Sequence, residues 1–181
     1  MRSVYRIIRD DINHYSQNQK GIGKIIVIFY YQGLLGLILY RFLNYLFLQS
    51  KEKFFLKIIY NILFLILYIP FKNRTGLELH PEANIGRNLY IPHGNSVVLN
   101  KKVLIGNGVT IHQNTTLGIN YRTEEAPTIS DNVFIGTNCS IIGGIRVGKN
   151  ATVLSNSAVV KDVDDYGIVG GVPAAKINKN M

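Results

Sequence analysis

Among the four histidines of this chain, His93 has the surroundings best suited to proton transfer. It lies in the run Ile-Pro-His-Gly-Asn, where Gly94 would let the backbone approach a ligand closely. Glu78 precedes it by 15 residues, and a carboxylate beside an imidazole fixes its tautomer and stabilises its cationic form. Such a pair can remove the proton from a hydroxyl nucleophile. A structural or surface role for both residues is the alternative that this spacing leaves open.

The remaining histidines and the single cysteine limit the other chemistries. His112 is expected one turn of the fold above His93, and a histidine pair with carboxylates can bind a metal. No ligand spacing supports this, so no metal site is predicted. His14 has no evident partner and is predicted to be a solvated surface residue. Cys139 is the only cysteine, which excludes a disulfide within the chain and fits a reducing compartment.

Composition indicates a folded protein with an uneven charge. The 181 residues are 47% hydrophobic and 17% charged, which is not typical of a disordered chain. Residues 1–75 hold 11 Lys/Arg against 3 Asp/Glu, or +8 of the total net charge of +9. These basic residues border apolar runs and do not form a stripe with aromatics, which favours an anionic lipid surface over nucleic acid. No nucleic-acid partner and no cleavable signal are predicted.

Two apolar runs, 25–48 and 54–71, predict a helical hairpin in the N-terminal half. Both are long enough to cross a membrane, although Arg41 within the first would cost about 2.5–3.5 kcal/mol. Polar and small residues recur every four positions on one stripe of that helix: Gln32, Gly36, Tyr40 and Asn44. The hairpin is therefore either buried against the protein or a partner subunit, or in contact with the cytoplasmic membrane through residues 24–71. Pro70 and the run 73–76 are expected to end it.

From Leu79 onward the period of the aliphatic residues changes to six. The anchors are Leu79, Ile85, Ile91 and Val97, then, after a two-residue slip, Ile105, Ile111 and Leu117, and finally Ile129, Ile135, Ile141, Val147, Val153 and Val159. A second inward set lies four residues after an anchor and includes Thr115, Val133, Cys139, Ala151 and Ser157. A six-residue period predicts a parallel β-helix, in which three hexads close one coil. The gap between Leu117 and Ile129 predicts a loop that leaves the wall.

The predicted fold class is therefore mainly β. An α-helical, apolar and basic region (1–75) precedes a β-helix domain with a C-terminal tail (76–181).

Four segments of the second half resemble a known family. They are Leu-Glu-Leu-His-Pro-Glu-Ala-Asn-Ile-Gly (77–86), Ile-Pro-His-Gly-Asn-Ser-Val-Val (91–98), Val-Thr-Ile-His-Gln-Asn-Thr-Thr-Leu-Gly (109–118) and Gly-Gly-Val-Pro-Ala-Ala-Lys-Ile (170–177). In this order they resemble the serine acetyltransferase branch of the hexapeptide-repeat acetyltransferases. The resemblance implies a left-handed β-helix, a homotrimer with active sites between subunits, and acetyl-CoA as co-substrate.

The same resemblance implies roles for individual residues. His93 would be the general base and Glu78 its carboxylate partner, where the family usually has aspartate. The acetyl group would pass directly to the acceptor hydroxyl, which leaves Cys139 as a packing residue. The residues that would contact acetyl-CoA are Gly136, Thr137, Leu154, Ser155, Gly171 and Lys176.

Two departures from the family bear on the acceptor. Pro92 stands where serine acetyltransferases carry an acidic residue, and Glu125-Ala126 stand where they carry an Arg-His pair. A serine zwitterion left with unpaired charges is costly to bind. We therefore expect an O-acetyltransferase acting on a saccharide or lipid-linked saccharide in capsular or other surface-polysaccharide biosynthesis, cytoplasmic or peripheral at the inner membrane face.

The expected acceptor residues are Pro92, Asn95, His112 and Tyr121. Two alternatives remain: a serine O-acetyltransferase of cysteine biosynthesis, and a non-catalytic β-helix assembly protein.

Overall fold

The computed structural model describes residues 2–17 and 23–177, which form a helical region followed by a parallel β-helix. The mainly β fold predicted from the six-residue period is thereby confirmed. The helices are α1 (Arg2–Gln17), α2 (Lys24–Tyr30), α3 (Gln32–Ser50), α4 (Phe54–Leu63) and α5 (Ile69–Thr75), with a π-helical turn (Phe64–Tyr68) joining α4 to α5.

The β-helix has three faces, each a sheet of short strands stacked from successive coils. Face A contains β1 (Glu78–Leu79), β3 (Val98–Leu99), β6 (Thr116–Gly118), β9 (Ser140–Ile142) and β12 (Ala158–Val159). Face B contains β2 (Asn84–Ile85), β4 (Leu104–Ile105), β7 (Thr128–Ile129) and β10 (Arg146–Val147). Face C contains β5 (Thr110–Ile111), β8 (Phe134–Ile135), β11 (Thr152–Val153), β13 (Ile168–Gly170) and the antiparallel end strand β14 (Ala175–Lys176).

The aliphatic anchors and their companions fill the inside of the prism. All thirteen predicted anchors are buried, and so are the companions Thr115, Val133, Cys139, Ala151 and Ser157. Each anchor stacks on its counterpart one coil away, as Leu99 does between Leu79 and Leu117. A coil therefore buries its apolar side only against its neighbours, and the core grows along the stack.

The two-residue slip lies before Val97 and not after it. Leu79 pairs with Leu99, so Leu99 holds the anchor position and Val97 the companion position. Eight residues separate Ile91 from Leu99, whereas six separate Ile111 from Leu117. The corner that carries His93 is therefore two residues longer than the next corner above it.

Asparagine shapes most of the other corners. Positive φ angles of 56° to 60° occur at Asn88, Asn114, Asn132, Asn138, Asn150 and Asn156. This left-handed conformation is costly for most residues and is tolerated by asparagine, whose short polar side chain bonds locally. These corners of the β-helix are thus formed without glycine at the left-handed position.

The helical region differs from a simple hairpin. The first apolar run consists of two helices, since α2 and α3 meet at an angle of 96° at Tyr31. Helix α1 lies within the region 1–75 that was predicted to be α-helical, although the prediction did not place a separate amphipathic helix there. The second helix also continues through Pro70 to Thr75 and ends at Gly76, whose φ is +68°. The π-helical turn before Pro70 gives the proline ring room that a regular α-helix lacks.

Helix α3 packs against the first coil of the β-helix. Two glycines allow this close approach: Gly33 lies against Ile91, and Gly36 lies against Leu77 and Phe71. The predicted stripe on α3 faces this contact, and the alternative in which this helix is buried against the protein is confirmed. By length and composition, Phe54–Thr75 is the one helix among the described residues that could cross a membrane alone.

Side chains of α1 and α3 bond to the free edge of the first coil. The Tyr40 hydroxyl donates to Ala83 O (2.7 Å) and accepts from Ile85 N (3.3 Å). The Tyr15 hydroxyl accepts from Ile91 N (2.7 Å) and donates to Ile91 O (3.4 Å). These bonds replace the strand that an additional coil would supply.

A buried ion pair completes this set of contacts. Arg41 Nε donates to Asp11 Oδ2 (3.0 Å), and its other nitrogens donate to Ile85 O and Gly86 O. Asp11 Oδ1 in turn accepts from Asn88 N (2.8 Å). The pair therefore joins α1, α3 and the first coil in a single hydrogen-bonded group.

We expect Asp11→Ala to lower the free energy of unfolding by about 3–5 kcal/mol, because it leaves the Arg41 charge buried without its partner. Chemical denaturation followed by circular dichroism measures this. Asp10→Ala is the matched control: Asp10 is half-buried and its ion pairs with Arg9 and Arg87 measure 3.6 and 4.0 Å, so the loss should stay below about 1 kcal/mol. Equal losses for the two variants would contradict the role given to the ion pair.

Candidate active site

The corner between faces C and A aligns most of the predicted site residues. Tyr90, Thr110, Phe134, Thr152 and Ile168 pair in turn from coil to coil. Three residues further along each upper coil lies a column formed by Gln113, Thr137, Ser155 and Gly171. Asn95 continues it below Gln113, because Asn114 N donates to Asn95 O (3.1 Å) as Asn138 N donates to Gln113 O (3.0 Å), and His93 lies two residues before Asn95 on the same corner. Beside it is a column formed by Pro92, His112, Gly136, Leu154 and Gly170. Adjacent strands are about 4.8 Å apart, so the first column extends over about 19 Å. The predicted general base and five of the predicted acetyl-CoA residues (Gly136, Thr137, Leu154, Ser155 and Gly171) thus share one edge of the protein, whereas Lys176 bonds to Asp164 on the corner between faces B and C.

His93 is exposed at the start of this edge. It lines a cleft of about 370 Å³ together with Tyr30, Tyr31, Tyr90 and Pro92, which is called the His93 cleft below. The corner is supported from behind by the junction of α2 and α3, because Gly94 packs against Gln32 and Gly33. The long corner and the bent helix pair together set the position of the imidazole.

His112 lies next to His93 and is half-buried. Its backbone N donates to Ile135 O (3.0 Å), and its ring centroid is 5.2 Å from that of Phe134. Burial lowers the pKa of His112, the nearby His93 lowers it further, and a hydrogen bond with Gln113 partly offsets both. His112 is therefore uncharged at neutral pH, and a second positive charge is not added beside His93.

Glu78 lies in a different depression from His93. The face-A depression has a volume of about 790 Å³, and its charged lining residues are Glu78, Lys101 and Arg122. Glu78 Oε2 is 2.8 Å from Lys72 Nζ. Within residues 2–17 and 23–177, no hydrogen bond or ion pair joins Glu78 to His93. The pairing of these two residues stays a prediction.

The loop predicted between Leu117 and Ile129 projects from the corner between faces A and B. Glu124 N donates to Asn120 O (2.6 Å) and Asn120 N donates to Glu125 O (3.0 Å), which gives the loop a fixed shape. Tyr121 is 92% exposed and lines the face-A depression. The predicted acceptor residues are therefore divided: Tyr121 lies with Glu78, whereas Pro92 and His112 lie with His93. Asn95 is exposed on the His93 corner.

The upper part of the edge has the features that an extended pantetheine arm requires. Gly136 is buried, and a Cβ there would lie 2.6 Å from Ser155 N, so the wall is tightly packed. Thr137 N donates to Ser155 Oγ (3.2 Å), and Leu154 presents an exposed apolar side chain. Lys176 lies exposed on β14, 3.2 Å from Asp164 Oδ2. Apolar contact and hydroxyl groups are suited to the pantetheine arm of acetyl-CoA, and these residues of the edge fit this co-substrate.

Gln113 is a site residue that the sequence analysis missed. It stacks above Asn95, because Asn114 N donates to Asn95 O (3.1 Å), and its side chain forms a hydrogen bond with His112. Gln113 therefore lies at the site through His112.

His14 and Cys139 are two further residues whose environment was predicted from the sequence. The prediction that His14 is a solvated surface residue is wrong: it is half-buried, and its ring lies edge-on to that of Tyr90, with centroids 5.8 Å apart. Cys139 is buried, and burial raises the pKa of its thiol, which disfavours the reactive thiolate. Within the described part of the chain, no group of three or more His, Cys, Asp or Glu could hold a metal ion.

Comparison with known proteins assigns the family. A model of the hexapeptide repeat of succinyl-transferase matches residues 128–161. The serine acetyltransferase of Bacillus subtilis strain 168 is 33% identical over 181 residues, covering 97% of this chain and 78% of that protein. The chain belongs to the serine acetyltransferase family. It is therefore an acetyl-CoA-dependent acyltransferase.

Solved structures of serine acetyltransferases agree with this assignment. Soybean serine acetyltransferase complexed with serine has a TM-score of 0.84 and 27% identity, covering 98% of this chain and 70% of that one. A serine acetyltransferase in complex with CoA has a TM-score of 0.80 and 27% identity, covering 97% and 70%. The β-helix of this chain matches the left-handed fold of such acetyltransferases.

The expectation of a saccharide acceptor is wrong. The similarity to serine acetyltransferases extends over nearly the whole chain, including the helical region, and does not favour polysaccharide acetylation. The expectation rested on Pro92 and Ala126, two positions at which the family's charged groups are missing. It did not take account of Lys101 and Arg122, which the fold places in the face-A depression.

The proximity of the two histidines is testable by NMR titration. In the His93→Asn variant we expect the pKa of His112 to rise, because His93 contributes to its lowering. His80 is the internal control: burial lowers its pKa, and His93 is not among the groups that affect it. An unchanged His112 titration, or an equal rise at both histidines, would show that His93 and His112 do not interact.

Proposed function

We propose that this chain is a serine O-acetyltransferase of cysteine biosynthesis that acts in the cytoplasm. The observation that carries the proposal is the column that leads from His93, along the corner between faces C and A, to Gly171. It offers a proton acceptor at one end and a continuous binding edge above it. The similarity to serine acetyltransferases over 97% of the chain supports serine as the acceptor.

His93 acts as the general base in this proposal. Its imidazole accepts the proton from the serine hydroxyl, whose oxygen then forms the new ester bond. Acetyl-CoA supplies the acetyl group as a thioester, and its thiol leaves with a proton. A positioned general base of this kind contributes about 10²–10⁴-fold to turnover. Because His112 is uncharged, it does not oppose the positive charge that develops on His93.

The charges of the face-A depression suit an amino-acid acceptor. Lys101 and Arg122 supply positive charge for the carboxylate of serine, and hydrogen bonds between such charged groups are stronger than neutral ones. Glu78 supplies a carboxylate for the imidazolium that forms during the reaction. Lys101 and Arg122 thus take the place of the Arg-His pair that Glu125-Ala126 replace.

The division of the site between two depressions supports a homotrimer. One chain presents His93 in its cleft and Glu78 in the face-A depression, without a contact between them. In the proposed trimer, the His93 corner of one subunit faces the face-A depression of the next. Closed cyclic symmetry then builds three equal sites from the same two surfaces.

The activity is tested by thiol release from acetyl-CoA. We expect saturable release with serine and none with a panel of sugars and oligosaccharides. His93→Ala should lower kcat by at least about 100-fold, because the general base is lost. Lys149→Gln, at an exposed residue on the corner between faces B and C, is the control and should retain wild-type kcat. Release that depends on a sugar, or full activity of His93→Ala, would contradict the proposal.

The shared site is tested by mixing two inactive variants. His93→Ala and Glu78→Gln are each assayed alone and then refolded together in equal amounts. If the two residues meet between subunits, about a quarter of the sites in randomly mixed trimers contain both native residues. We therefore expect about a quarter of wild-type activity to return. No recovery, with mixed trimers demonstrated by differently tagged chains, would place both residues in the same chain.

A further inference from the structure

The outer face of α4 is an apolar surface that the protein itself does not cover. Phe55 is 79% exposed and Ile62 is 52% exposed. At 100° per residue, the apolar side chains at 54, 55, 58, 59 and 62 occupy an unbroken arc of about 140° of the helix. Lys57 and Asn61, both exposed, mark one border of this arc. Exposed apolar residues also continue into the π-helical turn, where Leu65 is 66% exposed.

The inner face of the same helix contacts the folded body at several points, although no side chain of α4 itself is buried. Tyr60 lies against Phe47 of α3, with ring centroids 5.7 Å apart, and Phe64 lies 6.4 Å from His80. Further along, Tyr68 is buried and Phe71 packs against Gly36. A helix held along one side by a folded body cannot be surrounded by lipid. The 22-residue length of Phe54–Thr75 is therefore not used to span a bilayer.

The charges around this face identify what covers it. Lys51, Lys53 and Lys57 are exposed at its N-terminal end and Arg74 at its C-terminal end, with Glu52 as the single acidic residue between positions 51 and 75. The whole segment 1–75 carries a net charge of +8. Two copies of such a face would repel each other, whereas an anionic surface attracts it.

We propose that the face formed by Phe54, Phe55, Ile58, Ile59 and Ile62 docks on an anionic phospholipid surface, with the helix lying in the plane of the membrane interface. An apolar face bordered by lysines is the arrangement of interfacial helices, which combine burial of apolar side chains with attraction to anionic lipids. The cytoplasmic leaflet is the anionic one. The enzyme is therefore peripheral at the inner face of the cytoplasmic membrane, with α4 as its contact.

Vesicle flotation of the full-length protein tests this. We expect recovery with vesicles of phosphatidylcholine and phosphatidylglycerol and little with phosphatidylcholine alone. Phe55→Gln/Ile59→Gln/Ile62→Gln should weaken partitioning at least about tenfold by removing apolar contact. Lys53→Gln/Lys57→Gln should weaken it roughly thirtyfold at low salt. Val160→Gln, which alters an exposed apolar residue of the β-helix, is the matched control and should float like the wild type.

The opposing outcomes are distinct. Equal flotation with both kinds of vesicle, or no effect of the triple variant, would overturn the proposal. Light scattering in lipid-free buffer tests whether another copy of the chain covers the face instead of lipid. If the triple variant forms a smaller oligomer than the wild type and neither protein floats, the face contacts another copy of the chain. Acetyl transfer measured without lipid confirms that each variant is folded and separates this proposal from the catalytic one.

Discussion

The free edge of the first coil is the constraint on which the rest of the structure depends. Every coil of a parallel β-helix bonds to the coils on either side, so the end coils present unpaired backbone groups. Here the first coil is closed by side chains from the helical region. Tyr15 and Tyr40 each use one hydroxyl both to donate and to accept, and Arg41 donates to two carbonyls. The helices are thus the end cap of the β-helix and not an appendage.

This cap contains a charge that the fold must keep paired. Burial raises the pKa of the Asp11 carboxyl, while the Arg41 guanidinium and the Asn88 N–H partly offset that effect. The cost of burying the carboxylate is offset by its ion pair with Arg41, which it holds against the coil edge. It is also offset by the hydrogen bond that the carboxylate accepts from Asn88 N. The cap in turn supports the site: the α2–α3 junction packs against Gly94, beside the proposed base.

The regular coils of the β-helix set the distances between the predicted site residues. Strand spacing sets the separation between coils, so residues that are remote in sequence line up along one corner at regular intervals. The His93 corner breaks this regularity by two residues, and the loop at 119–127 breaks it on the neighbouring corner. Both breaks provide side chains that leave the wall, while the regular coils between them provide the edge for acetyl-CoA. Function in this chain is therefore concentrated where the six-residue period is interrupted.

The sequence alone determined the β-helix, its inward anchors and the projecting loop, and its resemblance to a known family predicted His93 as the general base and an acetyl-CoA edge. A six-residue period has no other structural solution, and the corner motifs repeat at fixed distances from the anchors. The sequence did not place α1 as a separate helix, and it did not reveal the bend at Tyr31 or the partners of Arg41. It also led to the wrong acceptor, because the prediction considered Pro92 and Ala126 without the charged residues Lys101 and Arg122, which the fold places in the face-A depression. Those features depend on side chains from distant segments meeting at one surface, and only the tertiary structure decides which of them meet.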